Sequence, residues 1–163
     1  MEAVVWGAVA LLAFVWLGVV FVGPPYVPTL KRDLDQLFAA LQLSSRHRLV
    51  DLGAGDGRVL VRAAQAGAKV AGVEINPLLT WLANFRLRRT GNRVTAGNMW
   101  QYALPQDTTH VFVFPAGQFM ERLERYCAHQ ATQVGPFTLI CYGFALPGKK
   151  AEKVVGAFNL YRF

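Results

Sequence analysis

The sequence predicts a doubly wound α/β sheet, and three observations carry that reading. Strand-like and helix-like patterns alternate from Arg46 onward; a glycine loop, VDLGAGDG at 50–57, joins the first apolar strand to a helix; and HVFVFP at 110–115 is a continuous apolar run. Such a run belongs to a strand buried on both faces, as in a parallel sheet, whereas a strand with one wet face would alternate. The 163 residues suit one such domain without internal repeats, and 53% hydrophobic against 17% charged residues is too apolar for a disordered chain.

The elements follow in order. Residues 3–22, AVVWGAVALLAFVWLGVVFV, carry no charge, and about twenty helical residues at about 1.5 Å each span a hydrocarbon core of about 30 Å. A cleaved signal peptide would need a basic leader, a shorter run and a small-residue cleavage site. Instead Glu2 is the only charge before the run, which ends in Gly23, Pro24 and Pro25. A buried core helix is the other alternative; the expectation is an uncleaved single-pass anchor over residues 1–23. Lys31 and Arg32 just beyond it place the rest of the chain on the cytoplasmic side, or the matrix side of a mitochondrial membrane.

Residues 24–45 form a lead. Pro24, Pro25 and Pro28 keep its start extended, and Thr29 stands as N-cap of a short helix carrying Leu34, Leu37, Phe38 and Leu41 at helical spacing. The domain proper is 46–163. RHRLVDL is its first strand and Gly57 to Ala66 its first helix; KVAGVEI, 69–75, is the second strand, ending in Glu74. Asn76 and Pro77 open a helix through LLTWLANFRLRR, which Gly91 closes. The third strand is 93–96, the fourth 110–115, a helix runs from about Gln118 to Ala131, and the fifth strand is 136–143. EKVVGAF and NLYRF form an antiparallel edge hairpin.

Charge and cysteine usage narrow the partners. Beyond residue 30 the chain has seventeen basic against nine acidic side chains, net +8, an excess that favours an anionic leaflet by about 1 kcal/mol per well-placed basic residue. Nucleic acid is disfavoured: apart from RLRR at 86–89 and Lys149–Lys150 the basic residues are dispersed, and no zinc-finger, RRM or KH pattern is present. Cys127 and Cys141 lie in apolar surroundings without C-x-x-C spacing and read as core thiols. His47, His110 and His129 are far apart in sequence, so no metal site is expected.

The chemistry gathers at the sheet's carboxyl edge, where open α/β sheets bind ligands. Gly53, Gly55 and Gly57 allow a sharp turn and a close ligand approach, at a helix N-terminus where free N–H groups collect. Glu74, seventeen residues past Gly57, is placed for ribose hydroxyls, which fits NAD as well. The spacing decides against NAD: it is G-x-G-x-G rather than G-x-G-x-x-G, with Asp51 two residues ahead. An acid there repels a pyrophosphate and attracts an α-amino group.

VDLGAGDG, VEINP and GNMW together resemble the class I S-adenosylmethionine-dependent methyltransferases. PYVPT before the glycine motif, the apolar anchor, Trp100, and CYGFALP after the fifth strand are similar to the membrane-anchored protein lysine methyltransferases, whose eukaryotic members act on the ATP synthase c subunit and the adenine nucleotide translocase. The resemblance covers almost all of 24–163. It implies a Rossmann-like class I methyltransferase fold with a shortened C-terminal part, S-adenosylmethionine as cofactor, and lysine on a membrane-associated protein as acceptor. By the family pattern Asp51, Gly53 and Gly55 meet the methionine end, with Tyr26 and Thr29 closing over it, and Ala54 and Gly57 also belong to the cofactor site. Glu74 holds the ribose, Ile75 covers one face of the adenine, and Asn98 and Met99 border the other. Two positions depart from that pattern: Asn98 where the family usually has Asp, and FPAGQFM after the fourth strand.

Tyr26, Trp100, Tyr102, Phe114 and Pro115 are candidates for an acceptor channel, with Trp100 and Phe114 equally readable as core. His47 and His110 fall at the opposite edge of the sheet and His129 on a helix surface, leaving no general base, so desolvation and alignment are the expected devices. A small-molecule or lipid acceptor, and a cofactor-binding scaffold without transfer activity, remain alternatives.

Overall fold

Residues 2, 6, 7 and 29–163 are described by a computed structural model. The apolar run at 3–22 therefore lies almost wholly outside the described residues, as does Tyr26. Among the described residues no helix is long and apolar enough to cross a membrane.

The element order is α1 (Lys31–Leu41), β1 (Arg48–Leu52), α2 (Arg58–Gln65), β2 (Lys69–Glu74), α3 (Pro77–Leu87), β3 (Arg93–Ala96), β4 (His110–Val113), α4 (Met120–Val134), β5 (Thr138–Tyr142), β6 (Lys153–Val155) and β7 (Phe158–Arg162). Short 3₁₀ turns at Met99–Gln101 and Gly117–Phe119 precede β4 and α4. The strands form one sheet in the order β3-β2-β1-β4-β5-β7-β6, with β1 to β5 parallel and the β6–β7 hairpin antiparallel, β7 pairing with β5. The direction of winding reverses between β1 and β4. A crevice at their carboxyl ends is the ligand position such sheets favour.

Alternation of side chains sorts the core into two layers. Leu49, Val70, Phe112, Ile140 and Phe158 point to the face covered by α1, α2 and α3. Val50, Val73, Val111, Leu139 and Tyr161 point to the other, where α4 lies. The β5–β6 connection contains no helix, so among the described residues this second face carries fewer helices than the first.

Local rules explain most boundaries. Asn76 caps α3, its side chain accepting from the N–H groups of Leu78 and Leu79, with Pro77 at the first helical position. Thr29 does not cap α1. Leu30 holds that position without a side-chain bond, while Thr29 is buried and its carbonyl accepts from an Arg58 guanidinium N–H at 3.2 Å. Tertiary contact has outcompeted the cap.

Candidate active site

The sheet register lines up the functional residues. Leu52 pairs with Val73, Glu74 with Ala96, Asp51 with Phe112 and Phe112 with Ile140. Continued along the strands, the same register puts Glu74, Gly53, Phe114 and Tyr142 in one row across β2, β1, β4 and β5. With strands about 4.8 Å apart the row is about 14 Å long. By alternation Asp51, Glu74, Phe114 and Tyr142 all belong to the α1–α3 face.

Glu74 is buried at the end of β2, and each of its oxygens already accepts one backbone N–H: Oε2 from Gly55 at 2.8 Å and Oε1 from Asn76 at 2.9 Å. A carboxylate oxygen has two lone pairs, so each retains one for a ligand hydroxyl. The brace also holds the glycine loop against β2. Gly53, Gly55 and Gly57 all have positive φ, at 102°, 53° and 78°. A Cβ on Gly57 would sit 2.9 Å from the Ala83 Cβ of α3, whereas a Cβ on Gly53 would meet nothing within 4 Å. Gly57 is therefore required for helix packing, and Gly53 faces the open side of the turn.

The loop's N–H groups are not the free set that the sequence suggests. Those of Gly53 and Ala54 both donate to the Val73 carbonyl, at 2.9 and 3.0 Å, that of Gly55 to Glu74, and that of Gly57 to the Ala54 carbonyl. The Asp56 carboxylate accepts from the Arg58 N–H and so caps the start of α2. A phosphate-binding loop needs such donors unspent; here they are internal. What the loop presents instead is acid. Asp51 is buried and makes no side-chain hydrogen bond among the described residues, and its carboxyl is held well above the usual range, first by burial, then by the neighbouring charges of Glu74 and Asp56. A buried carboxylate without a partner is costly unless a cation or donor meets it. An α-amino group is such a cation, so these residues fit an aminoacyl nucleoside and not a dinucleotide.

Asp56, inside the glycine motif, supports the loop in a way that the glycine spacing does not reveal. Burial alone would raise its pKa, but hydrogen bonds from the Arg58 and Arg86 side chains bring it down to about 2. Arg86 also donates to the Asp56 carbonyl at 3.0 Å and closes an ion pair with its carboxylate. The first arginine of RLRR thus ties α3 to the loop.

The remaining candidates divide. Ile75 is exposed beside Glu74, and the Asn98 side chain accepts from the Trp100 N–H at 3.0 Å, fixing the turn after β3. Met99, Trp100 and Tyr102 pack on the α4 side. The Trp100 ring stands edge-on to Phe119 and Tyr126 at 5.9 and 6.2 Å and lies under the Arg122 guanidinium at 4.3 Å. Phe114 is on the other face, 36% exposed, with its ring edge-on to Tyr142 at 4.7 Å; Pro115 behind it is buried. Tyr142 in turn donates to an Asp33 carboxylate oxygen of α1 at 2.5 Å. Asp33 and Tyr142 are invisible as a pair in the sequence, where 109 positions separate them and no motif joins them.

The histidines fall as expected. His47 and His110 meet edge-to-face at 5.4 Å at the amino-terminal edge, and burial, with the charges of His47 and Arg162, lowers His110 to a pKa of about 4. Cys127 and Cys141 are buried free thiols.

Sheet order, glycine turn and acid-terminated second strand together define a Rossmann-like methyltransferase fold. Residues 51–153 match the ANTKMT methyltransferase domain family, and the chain belongs to that family. It is 35% identical over 105 residues to the lysine N-methyltransferase of the ATP synthase c subunit from Rattus norvegicus, covering 62% of this chain and 48% of that protein. It is 33% identical over 105 residues to the adenine nucleotide translocase lysine N-methyltransferase of Mus musculus, covering 61% and 45%. The chain thus spans about half the length of these relatives. An RNA methyltransferase structure from Salinibacter ruber, in complex with S-adenosyl-L-homocysteine, shares the fold: its TM-score is 0.72 at 23% identity, covering 84% of this chain and 92% of that one.

Proposed function

We propose that this chain transfers the methyl group of S-adenosylmethionine to a lysine side chain of a membrane-associated protein, with residues 1–23 as anchor and the domain on the cytoplasmic or matrix side. The observation that carries the cofactor reading is the glycine loop itself, the N–H groups of Gly53, Ala54, Gly55 and Gly57 internally spent beside the buried carboxyl of Asp51. Lysine is favoured by kinship with the two lysine N-methyltransferases and by the rim of the site, which is apolar with one anionic corner.

Asp51 would meet the α-amino group of the cofactor, Gly53 would let its methionine end pass close to the backbone, and Glu74 would accept from the ribose hydroxyls. When bound, the cofactor supplies a methyl group already activated by a sulfonium. What remains for the chain is to bring a neutral amine into line, and positioning of this kind can be worth about 7 to 11 kcal/mol. Phe114 and Tyr142 stand beyond Gly53 in the row. The Tyr142 hydroxyl oxygen and the Asp33 carboxylate both accept hydrogen bonds, so they can receive an incoming ammonium and orient it. Passage against the exposed Phe114 ring then removes water, whereas Pro115, buried behind it, is no wall of the channel. Holding a lysine neutral near pH 7.5 costs about 4 kcal/mol, within reach of the pKa depression that burial produces.

The test is transfer from methyl-labelled S-adenosylmethionine by the full chain on native membranes, followed by mass spectrometry. Label on lysine of a protein band supports the reading. Label in the lipid fraction overturns the acceptor, and cofactor binding with no transfer to any fraction leaves a scaffold.

A further inference from the structure

Helix α3 buries Thr80, Ala83 and Leu87 against the sheet, yet its outward face is also apolar. Leu78, Trp81 and Phe85 lie at successive turns of that face and are 68%, 63% and 50% exposed. Trp81 and Phe85 stack on each other, with centroids 5.8 Å apart and planes 19° apart. Neither cofactor nor acceptor explains this stripe, because it runs away from the carboxyl edge along the outside of the domain.

Its surroundings are basic. From Ile75 to Gln106 the sequence holds four arginines and no acid. Arg86 is spent on Asp56, but Arg88, Arg89 and Arg93 are exposed and in no ion pair among the described residues. The Arg88 guanidinium lies over the Phe85 ring at 4.1 Å. A groove lined in part by Trp81, Asn92 and Arg93, about 530 Å³ in volume, opens beside the stripe and is large enough for a phosphate-bearing headgroup. The chain also enters the domain close by: Thr29 contacts Arg58, which shares Asp56 with Arg86 of α3.

We infer that the outer face of α3 seats on an anionic phospholipid surface, with Leu78, Trp81 and Phe85 at the headgroup–acyl boundary and Arg88, Arg89 and Arg93 among the phosphates. Trp, Phe and Leu beside Arg are the side chains that hold helices at that boundary. A second copy is a poorer occupant, because a two-fold interface on this face would set the arginines of one copy against those of the other. Nucleic acid is also poorer, since Trp81 and Phe85 already cover each other's rings and Leu78 offers nothing to stack on. The contact goes beyond the transfer reaction and does not depend on which acceptor is methylated.

The native cysteines are buried, so a single environment-sensitive fluorophore can be placed on the full chain at Leu78→Cys, with Gln133→Cys on the exposed side of α4 as reference. With vesicles of phosphatidylcholine and phosphatidylglycerol the label at 78 shifts to the blue and is quenched by spin-labelled lipid, while the label at 133 stays water-like. Arg88→Gln with Arg89→Gln weakens this seating roughly thirtyfold, at about 1 kcal/mol per basic residue. Trp81→Ser with Phe85→Ser abolishes the quenching while S-adenosylhomocysteine affinity, which reports an intact fold, is kept. Three results would overturn the inference: a label at 78 that stays unquenched on anionic vesicles, equal quenching at 78 and 133, or a blue shift produced by an RNA oligonucleotide or by self-association instead of lipid.

Discussion

Glu74→Gln separates the two duties assigned to that side chain. The carboxylate accepts from Gly55 at 2.8 Å and from Asn76 at 2.9 Å in a buried position. An amide offers one acceptor oxygen, so either way round one backbone N–H is left facing an NH₂ group. An unsatisfied buried donor costs about 1 to 3 kcal/mol, which should lower the urea midpoint with an unchanged slope. Binding suffers independently. One ribose hydroxyl loses a charged acceptor, about 1.5 to 3 kcal/mol, or roughly 10- to 150-fold in affinity. Calorimetric titration of the full chain with S-adenosylhomocysteine, beside urea unfolding, measures both. A variant that loses stability but binds within twofold of the parent would show that Glu74 only braces the loop, and would refute the placement of the ribose.

Asp56→Asn should destabilise the domain by about 2 kcal/mol at neutral pH, the equivalent of a carboxyl lowered from near 3.8 to about 2. Because the folded pKa is depressed, that stability is present above the unfolded value and lost as pH falls from about 4 to about 2. Thermal melts of parent and variant should therefore converge toward pH 2, and a pH-independent gap would refute the ion-pair account. Asp51 has the opposite sign. Its carboxyl is raised by burial and by Glu74 and Asp56, so a cationic α-amino group should ionise it on binding. Affinity should then rise with pH above the ordinary Asp range and level off, with protons released into the buffer; titrations in buffers of different ionisation enthalpy read this directly, and Asp51→Asn should remove it. Tyr142→Phe should raise KM for the acceptor about tenfold while leaving cofactor affinity unchanged, since it removes one hydroxyl and its bond to Asp33. Weaker cofactor binding with an unaltered acceptor KM would move Tyr142 out of the acceptor site.

Much of the fold was legible because its signals are local. Strand-length apolar runs, the Asn76–Pro77 helix start and the glycine turn each depend on a few adjacent residues, and the structure places β1 to β5 and the β6–β7 hairpin within a few residues of expectation. Boundaries moved where distant contacts intervened, as when burial of Thr29 beside Arg58 left Leu30 at the start of α1. Glu74 and the glycines could be singled out by type and spacing, and the sheet register brings them together at the carboxyl edge. Trp100 and Phe114 could not be told apart, because which face of the sheet each would occupy depends on register.

In VDLGAGDG the residue types alone dictate the kind of backbone, a turn tight enough to need glycine with an acid ahead of it. What that backbone offers a ligand is set by packing. The Val73 carbonyl and the Glu74 carboxylate, from a neighbouring strand, consume its N–H groups, and Arg58 and Arg86 neutralise Asp56. Asp51 is left as the unspent acid beside the loop, for the physical reason that hydrogen bonds are allotted by proximity in space and not along the chain.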